Sequence, residues 1–249
     1  MRVNLKGLPD KLRGAAWPSS ARGVNCPVKS GKPTGRKART LRDLATSGCM
    51  QYQVNIETCW LLGLWSADHG TLAKGVVSIV NTNQEILKNF RKVSLKNFDI
   101  TGSRFRKREL RGYGLSWDVY FTRLPARRFL EQLLLAREKL SKKKKLAYLA
   151  GRFDGDGNAH GASSTMCIFY GHNEKSDAEV DAKLIQSLGF DASIEKNKKV
   201  LRLRIRKPRY FASNIVSFVK HPRKKQNLRD ILRKRPYGPE TSETHAVSC

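Results

Sequence analysis

Leu149-Ala150-Gly151-Arg152-Phe153-Asp154-Gly155-Asp156-Gly157 is the stretch on which the reading of this chain turns. Apolar residues from Leu146 onward recur at helical spacing and predict a helix that ends near Asp156-Gly157. Gly151 and Gly155 stand four apart, so they fall on one face of it. A face without side chains lets a second backbone come unusually close, while Leu146, Leu149 and Phe153 bury the flanks. Upstream, Leu61-Leu62-Gly63-Leu64-Trp65-Ser66-Ala67-Asp68 repeats the pattern, with Gly63 and Ala67 as the small pair and Leu61, Leu64 and Trp65 around them.

The segments downstream of the two stretches repeat too. A short apolar strand is expected at 76–80 and at 166–170, then a polar turn (Asn81-Thr82-Asn83, His172-Asn173-Glu174) that opens a helix at 85–93 or 178–188. Gly189 closes the second of these. Alternating strands come next at 115–121 and 200–205, and a proline, Pro125 or Pro208, leads each into a helix at 126–140 or 211–219. Two copies of one unit predict a single molecule with a pseudo-twofold axis. The chain divides into a basic extension (1–50), a first repeat (51–140), a second repeat (141–236) and a loose tail (237–249).

If the two small-residue helices pair about that axis, Asp68 and Asp156 arrive together at the bottom of the contact. Two carboxylates repel, and the carbonyl ends of both helices add negative charge there. Either one acid keeps its proton or a divalent cation neutralises the cluster. Oxygen ligands beside a phosphate partner point to Mg²⁺ or a similar hard ion such as Mn²⁺. An EF-hand is excluded for 154–165, since loop position six is Ala159 and position twelve is Thr165.

The chain has 249 residues, 49 Lys and Arg against 21 Asp and Glu, and a net charge of +28. Such a charge strains the compact state by self-repulsion and calls for a polyanionic partner, of which nucleic acid is the commonest. With 39% hydrophobic residues the chain can fill a core. The longest apolar run, 59–65, is too short to span a bilayer, and residues 1–6 lead into no apolar signal segment. Five cysteines without a CxxC pair fit neither a disulfide framework nor a zinc ribbon. A reduced intracellular setting without membrane attachment is expected, in a prokaryotic cytoplasm or an organelle. No compact His/Cys ligand set, nucleophilic triad or phosphate loop is present.

The stretch 149–157 resembles the motif that names the LAGLIDADG homing endonucleases, and 61–69 is similar to a looser copy of it. The resemblance covers about residues 55–232. It implies an α+β fold, a pseudo-twofold pair of αββαββα repeats whose strands form a saddle over DNA. It implies further that Asp68 and Asp156 bind Mg²⁺, with the carbonyls of Ala67 and Gly155 as accessory ligands. The activity implied is site-specific cleavage of double-stranded DNA at a long asymmetric site by a monomer, leaving short 3′ overhangs, from a gene of the intron-encoded kind. Ser66 replaces the first acid of motif one and His69 its glycine, and 68–81 is short for two strands. The alternative is a nucleic-acid binder that has lost cutting, an intron RNA maturase or a DNA-binding regulator. Asp154 is expected to cap or bond locally.

The DNA-facing surface is expected where arginines alternate. Arg202, Arg204 and Arg206 share one face of the strand 200–205, opposite Leu201, Leu203 and Ile205. A two-stranded ribbon fits the major groove, where arginine reads guanine and also grips phosphate. Lys196, Lys198 and Lys199 would extend that surface. In the first repeat Arg104, Arg106, Arg108 and Arg111 hold the corresponding place with less regular spacing, which suits phosphate contact. The stretch 220–235 carries eight Lys and Arg against Asp230. It is similar to the family's basic segment near the active site, and Lys224 is the first choice there for polarising the scissile phosphate, with Arg223 and Lys225 beside it. Lys142 is the first-half counterpart by position.

Overall fold

A computed structural model describes residues 52–70, 73, 75–98, 100, 102–110, 114–161, 163–197 and 200–234. The extension 1–50 and the tail 237–249 lie outside the described residues. Asn55 caps the first helix, α1 (Ile56–Asp68), by accepting a hydrogen bond from the Thr58 amide at 2.8 Å. From Thr58 to Trp65 every residue of α1 is buried. A helix apolar all round belongs in the middle of a protein. Its partner there is α4 (Lys142–Asp156), buried without a break from Leu146 to Asp154.

These two helices make the most extensive contact of any two elements. A Cβ on Gly63 would collide with the Tyr148 carbonyl oxygen, and one on Gly151 with that of Trp60. Gly155 abuts the methyl group of Ala67 in the same way. The backbones therefore touch through the small residues, as the i, i+4 spacing predicts.

Around this pair the first half adds β1 (Val76–Asn81), α2 (Gln84–Asn97), β2 (Arg104–Leu110), β3 (Gly114–Thr122) and α3 (Leu124–Leu135). The second adds β4 (Gly157–His160), β5 (Thr165–Gly171), α5 (Lys175–Ser187), β6 (Ala192–Asn197), β7 (Val200–Ile205), α6 (Pro208–Ile215) and α7 (Pro222–Arg233). The strands form two antiparallel sheets in the orders β1-β3-β2 and β4-β5-β7-β6. Val77, Ile79, Val119 and Phe121 of one, and Ile168, Tyr170, Leu203 and Ile205 of the other, are buried on the helical side. No helix among the described residues is long and apolar enough to cross a membrane.

The two halves share a connectivity but not a strand count. The second half is αββαββα. In the first, no strand answers to β4 among the described residues, and only a bridge between His69 and Ile79 stands in its place. The short segment after Asp68 supplies one strand, not two. Other elements depart from the sequence reading as well. Residues 104–110 are a strand in their own right. The helix expected at 126–140 stops at Leu135, and a 3₁₀ turn, Arg137–Lys139, comes after it, with the Arg137 Nε turned inward to donate to Asp181 at 3.0 Å. The basic segment folds as α7, opened by Pro222 and by His221, whose Nδ1 accepts from the Lys224 amide at 3.5 Å.

Candidate functional site

Asp68 ends α1 and Asp156 ends α4. The helix crossing brings the two ends together: a Cβ on Gly155 would lie 3.2 Å from the Asp68 Cγ. Asn81 of β1 orients Asp68 by donating from Nδ2 to Oδ2 at 2.7 Å. Burial, and after it the negative charge of Asp156, push the Asp68 carboxyl up to about 7, against the opposing pull of Lys224 and Asn81. Asp156 itself is only 8% exposed. Acids remote in the chain thus share one electrostatic neighbourhood, at a place where the last carbonyls of both helices add partial negative charge.

Lys224 reaches this point from α7. Its ammonium donates to the carbonyls of Phe153 at 3.0 Å, Asp154 at 2.7 Å and Gly155 at 2.7 Å, the last turn of α4. Burial draws its pKa down, while Asp68, Asp154 and Asp156 hold it up. A cation bonded to the final carbonyls of a helix answers both their unmet acceptors and the helix dipole.

Asp154 fixes the entry to α7. It accepts from the Lys220 amide at 2.8 Å, the His221 amide at 3.0 Å and the Trp60 indole Nε1 at 2.7 Å. Its bonds are therefore long-range, where local ones were expected, and they tie α1, α4 and the approach to α7 into one unit. Burial raises its pKa against these three donors. Trp60 also carries the Lys220 ammonium 4.1 Å above its ring. His221 is driven down to about 4, by burial first and then by the Lys224 cation, so it is neutral at pH 7 and free to accept.

The first half has no such anchor. Ser66, at the place of Asp154, donates to the Gly63 carbonyl at 2.8 Å. Lys142 does not enter the site. It opens α4, and at 1.5 Å per residue the Asp156 end of that helix is about 21 Å away. Position matching misled here because the first half lacks an α7, so the chain runs from the 3₁₀ turn straight into α4.

Strand register sorts the basic residues. On β7, Arg202 and Arg204 face away from the core with Cys167 and Phe169 of β5. The Arg202 guanidinium lies 5.5 Å over the Phe169 ring, and Arg204 pairs with Glu195 of β6 at 3.2 Å. Arg206 comes just after the strand and sits 3.8 Å from Asp191. Lys196 stands opposite Leu201 and so points to the helical side, not along the arginine row. One residue of register decides the face. Lys198, Lys199 and Arg111 lie outside the described residues. In the first sheet Arg104 and Arg106 stand opposite Tyr120 and Asp118 on the outer face, with Phe105 and Lys107 on the other, and Arg108 pairs with Ser116 in the same register. Their alternation is thus as regular as that of β7. On α7, Arg223 is exposed and Lys225 half-buried. Clefts of about 380 Å³ (Arg204, Arg206, Lys207) and 420 Å³ (Arg104, Tyr120, Thr122) open at corresponding ends of the two sheets.

No protein-family model matches the chain, and no curated protein does. Solved structures do. The homing endonuclease I-DmoI in complex with DNA and Ca is similar at a TM-score of 0.56 and 17% identity, over 71% of this chain and 98% of that one. I-DmoI with DNA and Mn gives 0.54 and 17%, over 66% and 98%. The chain has the LAGLIDADG homing endonuclease fold. Full-length DUF199/WhiA from Thermatoga maritima is similar as well, at 0.54 and 10% identity, over 79% of this chain and 66% of that one.

Within this LAGLIDADG fold, the donors at the helix ends suit a hard divalent cation. Asp68 and Asp156 offer carboxylates, and the last-turn carbonyls of Ala67 and Gly155 lie at the same ends. Burial, and after it the charge of Asp156, raise the pKa of Asp68, and a bound dication would oppose both. The described residues hold no cluster of three His, Cys, Asp or Glu. A site of two carboxylates completed by water and substrate phosphate is the kind Mg²⁺ takes. Lys224 already bonds the Gly155 carbonyl at 2.7 Å.

Proposed function

We propose that the protein is a site-specific double-strand DNA endonuclease that works with Mg²⁺ or Mn²⁺. The observation that carries this reading is the convergence of Asp68 and Asp156 at the crossing of α1 and α4, between two sheets whose outer faces bear arginine rows. The arginines grip phosphates on both sides of a duplex and hold its centre over the helix ends. Asp68 and Asp156 hold the cation, and Asn81 keeps the Asp68 carboxylate turned toward it. When bound, the cation lowers the pKa of an attacking water and stabilises the departing oxygen. Lys224 stands beside both acids with an ammonium able to meet a non-bridging phosphate oxygen. Each acid serves one DNA strand. Both motif helices come from one chain, so no second subunit is required, and the monomer suits a long asymmetric target of the kind an intron-encoded enzyme recognises.

The test is incubation of the purified protein with Mg²⁺ and a plasmid library of randomised inserts. Double-strand cleavage of a subset, absent in Asp156→Asn, is the expected result. Uncut DNA under all divalent cations would reject the reading. A second reading, binding without cutting, is favoured by Ser66 in place of an acid and by Lys224 already engaging the Gly155 carbonyl. Under it the protein is an intron RNA maturase or a DNA-binding regulator, and RNA or DNA is retained on a filter but never cut.

A further inference from the structure

The outer faces of the two sheets each carry an arginine–carboxylate pair across the edge ladder, directly opposite in the first and diagonal in the second, with the arginine and the acid on opposite strands. In the first sheet the arginine is on the edge strand: Arg106 of β2 faces Asp118 of β3, with 3.9 Å between charged atoms. In the second the carboxylate is on the edge strand: Glu195 of β6 faces Arg202 of β7 and binds Arg204 at 3.2 Å. The orders β1-β3-β2 and β4-β5-β7-β6 make β2 equivalent to β6 and β3 to β7. We align the core pair Ile79–Val119 with Ile168–Leu203, which also superposes the clefts beside Tyr120 and Thr122 on those beside Arg204 and Arg206. Asp118 and Arg202 each precede that core residue, so Asp118 corresponds to Arg202 and Arg106 to Glu195. Acid and base have exchanged strands between the halves.

The arginine heads remain available to a ligand, at 60% exposure for Arg106 and 52% for Arg204. The Arg204 guanidinium, bonded at one edge by Glu195, keeps further donors in a fixed plane, the arrangement that reads guanine O6 and N7, while Arg106 stands beside Asp118 with its head open. The strands nearest the paired acids are β4, which continues directly from Asp156, and the His69 bridge. Distance from the centre therefore grows along each sheet toward β6 and β2.

We propose that this exchange sets the guanine register of the two half-sites, an inference that rests on the DNA-binding part of the proposed function. Under the first sheet the guanine-reading arginine lies one strand farther from the acids than under the second. Strands are about 4.8 Å apart and base pairs about 3.4 Å. The preferred guanine of the first half-site accordingly lies about one to two base pairs farther from the cleavage centre.

The experiment selects duplexes from a randomised pool with the full chain in Ca²⁺, then with the exchange Glu195→Arg/Arg204→Glu. That exchange preserves the pair and the net charge at two exposed positions. The wild type is expected to enrich guanine at unequal distances in the two halves, at least about fivefold at each. The exchange moves the guanine served by Arg204 outward and leaves the first half-site as it was, and Arg106→Gln erases guanine preference in the first half-site alone. Equal distances in the wild type, or an exchange that weakens binding without moving any position, overturns the assignment. Cleavage of the selected duplex in Mg²⁺ is scored separately. A duplex enriched in the expected register but never cut upholds the register and counts against the nuclease reading.

Discussion

Residues 52–140 and 141–234 pack corresponding elements around one helix pair, yet what fills the middle of each half differs. The first half is stacked with rings: Tyr52 meets Phe98 and Phe129 at 5.4 Å, and Phe98 meets Phe121 at 6.0 Å. The second buries charge. Asp181, fully buried, accepts from Arg137 Nε at 3.0 Å, Tyr148 Oη at 3.1 Å and Tyr170 Oη at 2.8 Å. Arg152 lies 3.5 Å from the same carboxylate and 4.4 Å over the Tyr170 ring. Arg137 comes from the segment between the halves, so this network fastens the end of the first repeat to the second. A ring-filled core tolerates change gradually, whereas a buried ion network fails when one member is lost. The half with the brittle interior is also the half that supplies Asp154, Lys224 and α7. The two halves share a scaffold, and the specialised parts lie on one side of it.

The acids are where the halves should behave most alike. Asp156→Asn and Asp68→Asn are each expected to slow cleavage on the order of a thousandfold, with DNA affinity nearly unchanged, in single-turnover assays that resolve the two strands. A variant that still cuts both strands at the wild-type rate would remove that half from the chemistry.

The interiors should behave least alike. Asp181→Asn leaves Arg152 buried without its anion and Arg137 with Asp177 alone, and should cost about 3–5 kcal/mol in urea unfolding. Phe98→Leu, its first-half contrast, should cost less than half of that. Equal losses would show that the network carries no special share of the stability.

Gly151→Ala and Gly63→Ala each push a methyl group into a carbonyl of the opposite helix. Both should lose about 1–3 kcal/mol and several degrees of Tm, by the same amount, because the contact is reciprocal. A loss confined to one of them would mean that the helices do not cross symmetrically.

Acid titration should give the smallest effect, with opposite signs from the two halves. His221 is held below its ordinary value, so its contribution is present above about 6.5 and is lost as pH falls through about 4. Asp68 is held above its ordinary value, so folding is favoured in the acid range and loses that advantage as pH rises toward about 7. The metal-free wild type shows the difference of the two slopes. Asp68→Asn should expose the first and His221→Asn the second in Tm–pH profiles. Profiles left unchanged by either substitution would refute this assignment.

Much of this was legible in the sequence. The helix crossing could be read from Gly63, Ala67, Gly151 and Gly155, because a bare face at i, i+4 has few uses other than close backbone approach. The short first sheet could be read from the length of 68–81. Register could not: Lys196 looked continuous with Arg202 and Arg204 until its pairing with Leu201 put it on the other face. The partners of Asp154 and Asp181 were equally hidden. Asp177 and Asp181 stand four apart on α5, and nothing local in the sequence shows that Arg137 will turn inward to meet them. Lys224 could be chosen from a basic run, whereas its three carbonyl partners arise only once α7 docks against the end of α4.

The pairing of the two acids around a cation can be measured without DNA. Mn²⁺ titrated calorimetrically into the full chain at pH 7.5 should bind to the wild type and show no binding to Asp68→Asn/Asp156→Asn, with each single variant strongly weakened. Undiminished Mn²⁺ binding by the double variant would contradict it and move the cation site elsewhere in the molecule.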